Sequence, residues 1–421
     1  MAETLSFTPN RPADDRAARP VRRRHVLYVP GYDPEAESRS RMIFVRELLR
    51  YAKRFGLVER SIGPVEPCPE IPALRWNVTA AKAGWRTETV VEVLRWDDIV
   101  IRDFARPLPL AAALLFTAFL HSIAAGTLFR FFRLNWKFGG VIVYPPVMVA
   151  TTLGLGALLG AALARLLALW VPLPGWAGLA AALAGALGGL KLAGPLGRRW
   201  FVWHLTHDWV FNWQHGIGRR ADYEARVERF SRRIRDVVQA GEADEIVVLG
   251  HSSGAIMAVE AVADALALDP ESFARAGGCV GLLTLGSCLP LVAVNPHAHR
   301  CRERIRRLVA SPALLWVDYQ APQDWLNFAG FNPVRDLPLG ITREAAANPV
   351  IRSSRFKDIL TPETYRSILF KPFRLHFQFL MGAERLGEYD YVMAMVGPVS
   401  LAERVRLGDG VVALAHPTAP P

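Results

Sequence analysis

The chain has 421 residues, 51% of them hydrophobic and 21% charged, with a net charge of +11 and a pI near 9.8. That length suits one large α/β domain carrying an insertion, or two ordinary domains. A basic chain can serve nucleic acid or an anionic membrane face, but here the lysines and arginines are scattered and several crowd the ends of one apolar block. The reading is therefore a membrane surface, with no nucleic-acid partner. The four cysteines (Cys68, Cys279, Cys288, Cys301) form no C-x-x-C pair and no metal-ligand spacing, which excludes a cysteine-based metal site and fits a reducing compartment. Cys279 and Cys288 fall in apolar runs and are expected to be buried free thiols.

Residues 1–24 are polar and end in Arg22, Arg23 and Arg24, with only the short run Val26–Val29 beyond. A cleaved secretory signal is not expected, and the segment reads as a flexible basic tail touching lipid headgroups. His25 to Val29 is a short β-favouring run ending at Pro30-Gly31, a buried strand and a turn. Ser38 to Phe55 places Met42, Val45, Leu48, Leu49, Ala52 and Phe55 at helical spacing, and Gly56 closes it. A Pro-rich connection from Pro64 to Pro72 follows, then a strand over Thr87–Trp96.

Three apolar stretches come next: Leu108–Phe129, Val141–Val171 and Gly175–Gly194. Each is about long enough to span a bilayer, and the Ala/Gly content of the third suits close helix packing in lipid. A buried helical layer of a soluble protein is the competing reading. If strands on either side of this block share one sheet, both its ends face one compartment and the number of crossings is even. Val147–Val171 with Trp176–Leu192 makes the better hairpin, joined by the short turn Pro172–Gly175. Leu108–Phe129 would then be re-entrant or interfacial; alternatively it crosses and one of the others does not. Arg130, Arg133 and Lys137 at one outer end and Arg198 and Arg199 at the other place both ends in the cytoplasm by the positive-inside rule, in a bacterial inner membrane.

Trp200, Trp203, Trp209 and Trp213 read either as an interface anchor or as an aromatic core face. Ala221 to Ala240 is an amphipathic helix with Val227, Phe230, Ile234 and Val237 on one stripe. Then come a strand at Glu245–Leu249, a helix at Ser253–Leu268, and strands at Val280–Leu285 and Ala313–Tyr319. Strands alternating with helices imply a doubly wound, mainly parallel α/β sheet. The Ala/Pro-rich end from Ala413 reads as disordered. The expected organisation is a tail at 1–24, the two parts of one α/β domain at 25–106 and 200–412, a membrane-embedded helical insertion at 107–199, and a second tail at 413–421.

Gly250-His251-Ser252-Ser253-Gly254 is a G-x-S-x-G match that directly follows an apolar strand and directly opens an apolar-periodic helix. A nucleophile elbow requires that arrangement: the glycines remove side chains where a strained turn would collide with its neighbours, and the serine oxygen is presented at the carboxyl edge of the sheet. The N–H of Ser253 then faces a developing oxyanion at a helix N-terminus. A structural strand–turn–helix is the bland alternative.

With this motif the chain resembles the α/β-hydrolase superfamily, in particular its lipase and esterase branches, over roughly residues 25–100 and 220–400. The resemblance implies a triad in the order Ser, acid, His. Only His376 and His416 lie beyond the next plausible acid, and nothing in the Ala/Pro tail would hold His416 rigid. His376 thus becomes the general base, unless it is an ordinary histidine on an aromatic face. His297 and His299 precede the acid and break the order, and His251 suits a packing or supporting role. Asp324, in the loop after the Ala313–Tyr319 strand, fits the family's acid position, with Asp318 as the second choice. The family's first oxyanion donor maps to Val29-Pro30-Gly31-Tyr32-Asp33, making the backbone N–H of Tyr32 the candidate.

No Walker loop, dinucleotide fingerprint or H-E-x-x-H appears, and the implied chemistry needs no metal or organic cofactor. The expected activity is a membrane-associated serine hydrolase cleaving carboxylic esters, lipid or otherwise hydrophobic, through an acyl-enzyme. Thioesterase or acyltransferase chemistry on the same triad remains open, as does a non-catalytic membrane scaffold with this fold. Oligomeric state is not readable from the sequence.

Overall fold

The computed structural model describes Thr8 and residues 20–417, which divide into two units, 1–100 with 220–421 and 101–219. The first unit is built on a nine-stranded mixed, mostly parallel sheet. Its strands are β1 (Arg23–Val29), β2 (Glu59–Ile62), β3 (Glu66–Cys68), β4 (Ala73–Lys82), β5 (Trp85–Leu94), β6 (Glu245–His251), β7 (Val280–Leu285), β8 (Leu315–Gln320) and β9 (Val350–Ser353). They lie in the order β2-β4-β5-β1-β6-β7-β8-β9, with β3 also paired to β4. From β5 to β9 every pairing is parallel, and the β4–β5, β2–β4 and β3–β4 pairings are antiparallel. Only residues from both sides of the apolar block can build this sheet: β1 sits between β5 and β6, with His25 opposite both Val90 and Ile246.

β6 to β8 are buried along their whole length, so apolar residues occupy both faces rather than alternating with solvent-facing ones, and the few polar members, Glu245, His251, Thr284, Asp318 and Gln320, are buried too. Val26, Tyr28, Val247, Leu249, Leu283, Leu285 and Val317 join one core with Phe44, Leu48 and Tyr51 of the helix Ala36–Phe55 and with Phe356, Phe379 and Tyr389 further on. The helix Gly254–Leu268 packs on β6 and β7, backed by the helices Ala221–Ala240 and His299–Ala310. Burying roughly one leucine-sized side chain stabilises by about 2 kcal/mol, which makes this continuous core the main source of the unit's cohesion.

Several boundaries differ from those expected. The arginine run is no tail at its end: β1 begins at Arg23, and Arg24 is buried, donating from Nε to Glu245 Oε2 at 2.6 Å and from Nη1 to the Gly397 carbonyl. The rest of the expected N-terminal tail, Thr8 apart, lies outside the described residues as far as residue 19. The Pro-rich connection contains β3, and the strand expected at Thr87–Trp96 runs two residues earlier as the second arm of a hairpin turned at Gly84 (φ 90°). The start of the expected C-terminal tail is ordered too. Val411–Ala415 is helical, and His416 is buried between Tyr51 Oη at 2.9 Å and Lys82 Nζ at 3.0 Å. Residues 418–421 lie outside the described residues. Of the cysteines, Cys288 and Cys301 are buried, whereas Cys279 is half-buried; all four are free.

The second unit is helical and wider than the insertion expected at 107–199. It takes in the helix Val202–Gly216, which sequence pattern alone had grouped with the sheet. Trp203, Trp209 and Trp213 of that helix are buried, with Trp213 Nε1 donating to His121 Nδ1 at 3.1 Å and Trp209 edge-on to Phe119, so three of the four tryptophans form a core face; Trp200 is exposed. Leu108–Phe129 is broken after Ala124 by Gly126 in the left-handed region (φ 68°). The helix Trp136–Leu167, 32 residues, is the one described helix long and apolar enough by itself to cross a membrane. At 1.5 Å per residue it spans about 48 Å against a hydrocarbon core of about 30 Å. The shorter apolar helix Ala177–Leu192 packs on it backbone to backbone. A Cβ on Gly160 would fall 2.0 Å from the Ala181 carbonyl oxygen, and one on Gly156 would fall 2.4 Å from that of Gly185. Small residues are what permit that approach. The outward leucines of the pair (Leu158, Leu159, Leu163, Leu179, Leu183) are exposed and form an apolar surface.

Candidate active site

Ser252 follows β6 directly and precedes the helix Gly254–Leu268, with φ at 57°. A side-chain-bearing residue in this left-handed region costs energy, and such strain collects where a turn must aim a functional group. The flanking glycines are there for space. A Cβ on Gly250 would lie 2.6 Å from Ala255 Cα, and one on Gly254 would lie 2.2 Å from the Pro30 carbonyl oxygen. The turn is tied down on both sides, since Ser252 N donates to the Leu285 carbonyl at 3.0 Å and Cys288 N donates to the Ser252 carbonyl at 3.3 Å.

His376 ends the short helix Pro372–His376 and is buried. Its Nδ1 is 2.6 Å from Asp324 Oδ2, and Asp324 is fully buried. The second carboxylate oxygen, Oδ1, accepts the Leu326 N–H at 2.9 Å, so the acid is locked in its loop. Asn327 completes the lock: its Nδ2 donates to the carbonyls of Ala321 and Asp324 at 2.8 and 3.0 Å. A carboxylate on Nδ1 fixes the imidazole tautomer with its proton there and leaves Nε2 as the acceptor. That Nε2 is buried and has no hydrogen-bond partner among the described residues.

Asp318, the second candidate for the acid, is not on the histidine. Its carboxylate accepts from Thr284 Oγ1 at 2.6 Å and Gln320 Nε2 at 2.7 Å. It still lies inside β8, paired with Thr284 of β7, whereas the loop beyond the strand turns Asp324 toward His376. Burial pushes the Asp318 carboxyl up to about 6, and its two hydrogen bonds only partly offset that.

The loop after β1 reaches the serine. A Cβ on Gly31 would lie 3.2 Å from Ser252 Cβ and 3.4 Å from the His251 carbonyl oxygen, so any larger residue there would press the serine turn by a few tenths of an ångström. Trp96 pins this loop, with Nε1 donating to the Pro30 carbonyl at 2.8 Å and its ring meeting that of Tyr32 edge-on at 5.8 Å. Asp33 adds an ion pair to Arg39 and accepts the Glu35 N–H. The Tyr32 side chain is buried. Ser253 is buried at the first turn of the helix, the position that puts its N–H next to the serine oxygen in an elbow.

Two site residues carried little sequence signal. The His251 ring lies 4.8 Å from that of His376 at 37°, and its Nε2 is 3.4 Å from the His376 carbonyl oxygen. Burial, with the neighbouring His376, holds His251 well below the usual histidine range, which keeps a positive charge away from the His376 ring. Cys288 Sγ sits 3.7 Å from Ser252 Oγ and 3.3 Å from the Leu326 carbonyl, between the serine turn and the Asp324 loop. Only its apolar surroundings were visible in the chain. No protein-family model, curated protein or solved structure matches this sequence.

Proposed function

We propose that the chain is a membrane-associated serine hydrolase of the α/β-hydrolase type that cleaves carboxylic esters, lipid-like ones, through an acyl-enzyme. One observation carries the reading: an elbow serine at φ 57° lies next in chain to a residue whose ring packs, tilted, 4.8 Å from a buried imidazole, and that imidazole is bound at Nδ1 by a buried carboxylate and unspent at Nε2 among the described residues. Ser252 Oγ lies 3.7 Å from Cys288 Sγ, and the proposed reaction requires it to turn toward His376 Nε2.

Ser252 Oγ then attacks the ester carbonyl carbon while its proton passes to His376 Nε2. Asp324 holds the resulting imidazolium in orientation and offsets its charge. The N–H groups of Ser253 and Tyr32 would hold the oxyanion. Collapse expels the alcohol, which takes the proton from Nε2, and leaves an acyl-serine. A water molecule, deprotonated by the same nitrogen, releases the acid.

For location, we propose a bacterial inner membrane with the sheet-bearing unit in the cytoplasm. The support is the length of Trp136–Leu167, the glycine-packed helix Ala177–Leu192 beside it, and the cations Arg130, Arg133, Lys137, Arg198 and Arg199 at the outer ends of the pair. The proposed activity is tested with the purified full chain in non-ionic detergent on p-nitrophenyl esters of graded acyl length. Turnover with a burst of p-nitrophenol, abolished in Ser252→Ala and His376→Ala, is expected; equal turnover in Ser252→Ala rejects the assignment.

A further inference from the structure

A cavity of about 640 Å³ opens in the sheet-bearing unit between the helix Ala36–Phe55 and the segment 360–384. Its size is that of a small-molecule site. Four cations line it, Arg50, Lys53, Arg54 and Arg374, against two acids, Glu47 and Glu384. Both acids are already spent. Glu47 accepts from Arg46 Nε at 2.9 Å, Arg50 Nη1 at 3.1 Å and the Gly382 N–H at 3.2 Å. Glu384 accepts from the Thr361 N–H and hydroxyl, each at 2.8 Å, and from Thr364 Oγ1 at 3.0 Å, with Arg54 at 3.7 Å. Lys53 and Arg374 are left over, with no ion-pair or side-chain hydrogen-bond partner among the described residues.

A second observation points to a ligand. Gln378 lines the same cavity and is only 4% exposed, yet its side-chain amide has no partner among the described residues. That amide opens onto the cavity beside the surplus cations, where a bound oxyanion could accept from it. Two cations and an amide donor are the recognition set for phosphate oxygens.

A third observation separates lipid from free anion. Phe370 is 89% exposed, the most exposed large apolar side chain among the described residues, surpassing even the outward leucines of the apolar helices. It sits on the turn between Pro362–Ile368 and Pro372–His376, the helices that supply Thr364, Ile368 and Arg374 to the cavity, and Lys371 follows it. A soluble anion has no use for a bare phenyl ring on the turn that joins the lining residues Ile368 and Arg374, whereas a phospholipid presents acyl chain beside its phosphate.

We propose that this cavity binds the headgroup phosphate of an anionic membrane phospholipid, with Phe370 against the acyl chains. The site stands without any chemistry at Ser252. Calorimetric titration of the full chain in dodecyl maltoside with dioctanoylphosphatidylglycerol and, separately, with inorganic phosphate tests it. The lipid should bind more tightly than phosphate. Lys53→Gln with Arg374→Gln should weaken both by about tenfold or more, and Phe370→Ser should weaken the lipid alone. All three side chains are exposed, so unchanged thermal midpoints exclude misfolding. Absence of lipid binding, indifference to the charge pair, or phosphate binding as tight as the lipid with Phe370→Ser silent would each overturn the proposal. Ser252→Ala should bind the lipid as wild type does, which keeps failure of the hydrolase reading separate from failure of this one.

Discussion

Replacing Asp324 by asparagine asks whether the carboxylate acts through the imidazole. In the structure the two oxygens of the fully buried Asp324 carboxylate serve two donors, His376 Nδ1–H at 2.6 Å and Leu326 N–H at 2.9 Å. An asparagine has one acceptor oxygen and one donor amide, so one of the two must be disappointed. If the amide faces the ring, His376 moves its proton to Nε2 and can no longer accept from serine. If it faces Leu326, two buried donors meet and the loop opens, at about 1–3 kcal/mol of stability. Loss of the tautomer in a triad lowers kcat by about 10⁴-fold, or about 5 kcal/mol of barrier. The assay is kcat on the best p-nitrophenyl ester, with thermal midpoints measured alongside and Asp318→Asn as the matched control. Asp318 touches Thr284 and Gln320 rather than the base, so its variant should stay within a few fold of wild type. A kcat for Asp324→Asn within tenfold of wild type, or an equal loss in Asp318→Asn, would refute the reasoning.

Asp318 also gives stability a pH dependence. Its folded value of about 6 stands above the ordinary 3.8, so between about pH 4 and 6 the folded chain keeps a proton that the unfolded chain has lost. Stability therefore falls as pH rises through that window, by up to about 3 kcal/mol, and Asp318→Asn should flatten the thermal-midpoint profile there; an unchanged slope contradicts this. At Gly254 a Cβ would meet only backbone, 2.2 Å from the Pro30 oxygen and 2.6 Å from the Val29 oxygen, so Gly254→Ala must push the serine turn away from the β1 loop. A shift of about 1 Å predicts a loss of about 10²-fold in kcat/KM, whereas Gly140→Ala, where nothing lies within 4 Å, should be silent. Gly160→Val forces a side chain onto the Ala181 carbonyl and should lower the thermal midpoint of the detergent-solubilised chain by several degrees, while Gly188→Val, facing open space, should not.

What the sequence revealed and what it hid follow from how local each cause is. The serine turn was legible because its causes are adjacent in the chain: an apolar strand, two glycines without room for a Cβ, and an apolar helix. Val280–Leu285 was legible to the residue because a fully buried parallel strand reads as a short apolar run, here interrupted only by Thr284. The β2–β4 edge was not, because its antiparallel strands are short or half-exposed and carry charge and proline, as in Glu59–Ile62 and Glu66–Cys68. Arg24 and His416 were misjudged for one reason. Each looks like part of a polar tail, and each is buried by a partner hundreds of residues away, Glu245 in one case and Tyr51 in the other. The family resemblance pointed to Asp324 and His376 as a pair with Asp318 as the second choice, and the choice between the two acids depends on which way the β8 loop turns. Cys288, Trp96 and Asn327 belong to the site through contacts that no local pattern encodes.

The most direct measurement is the mass of the intact full chain after exposure to a fluorophosphonate, followed by peptide mapping of the adduct. A single phosphonyl group on Ser252, absent from Ser252→Ala and strongly slowed in His376→Ala, is the predicted result. No adduct on the wild-type chain, or an adduct that persists at full rate in Ser252→Ala, would contradict a hydroxyl activated by the buried imidazole.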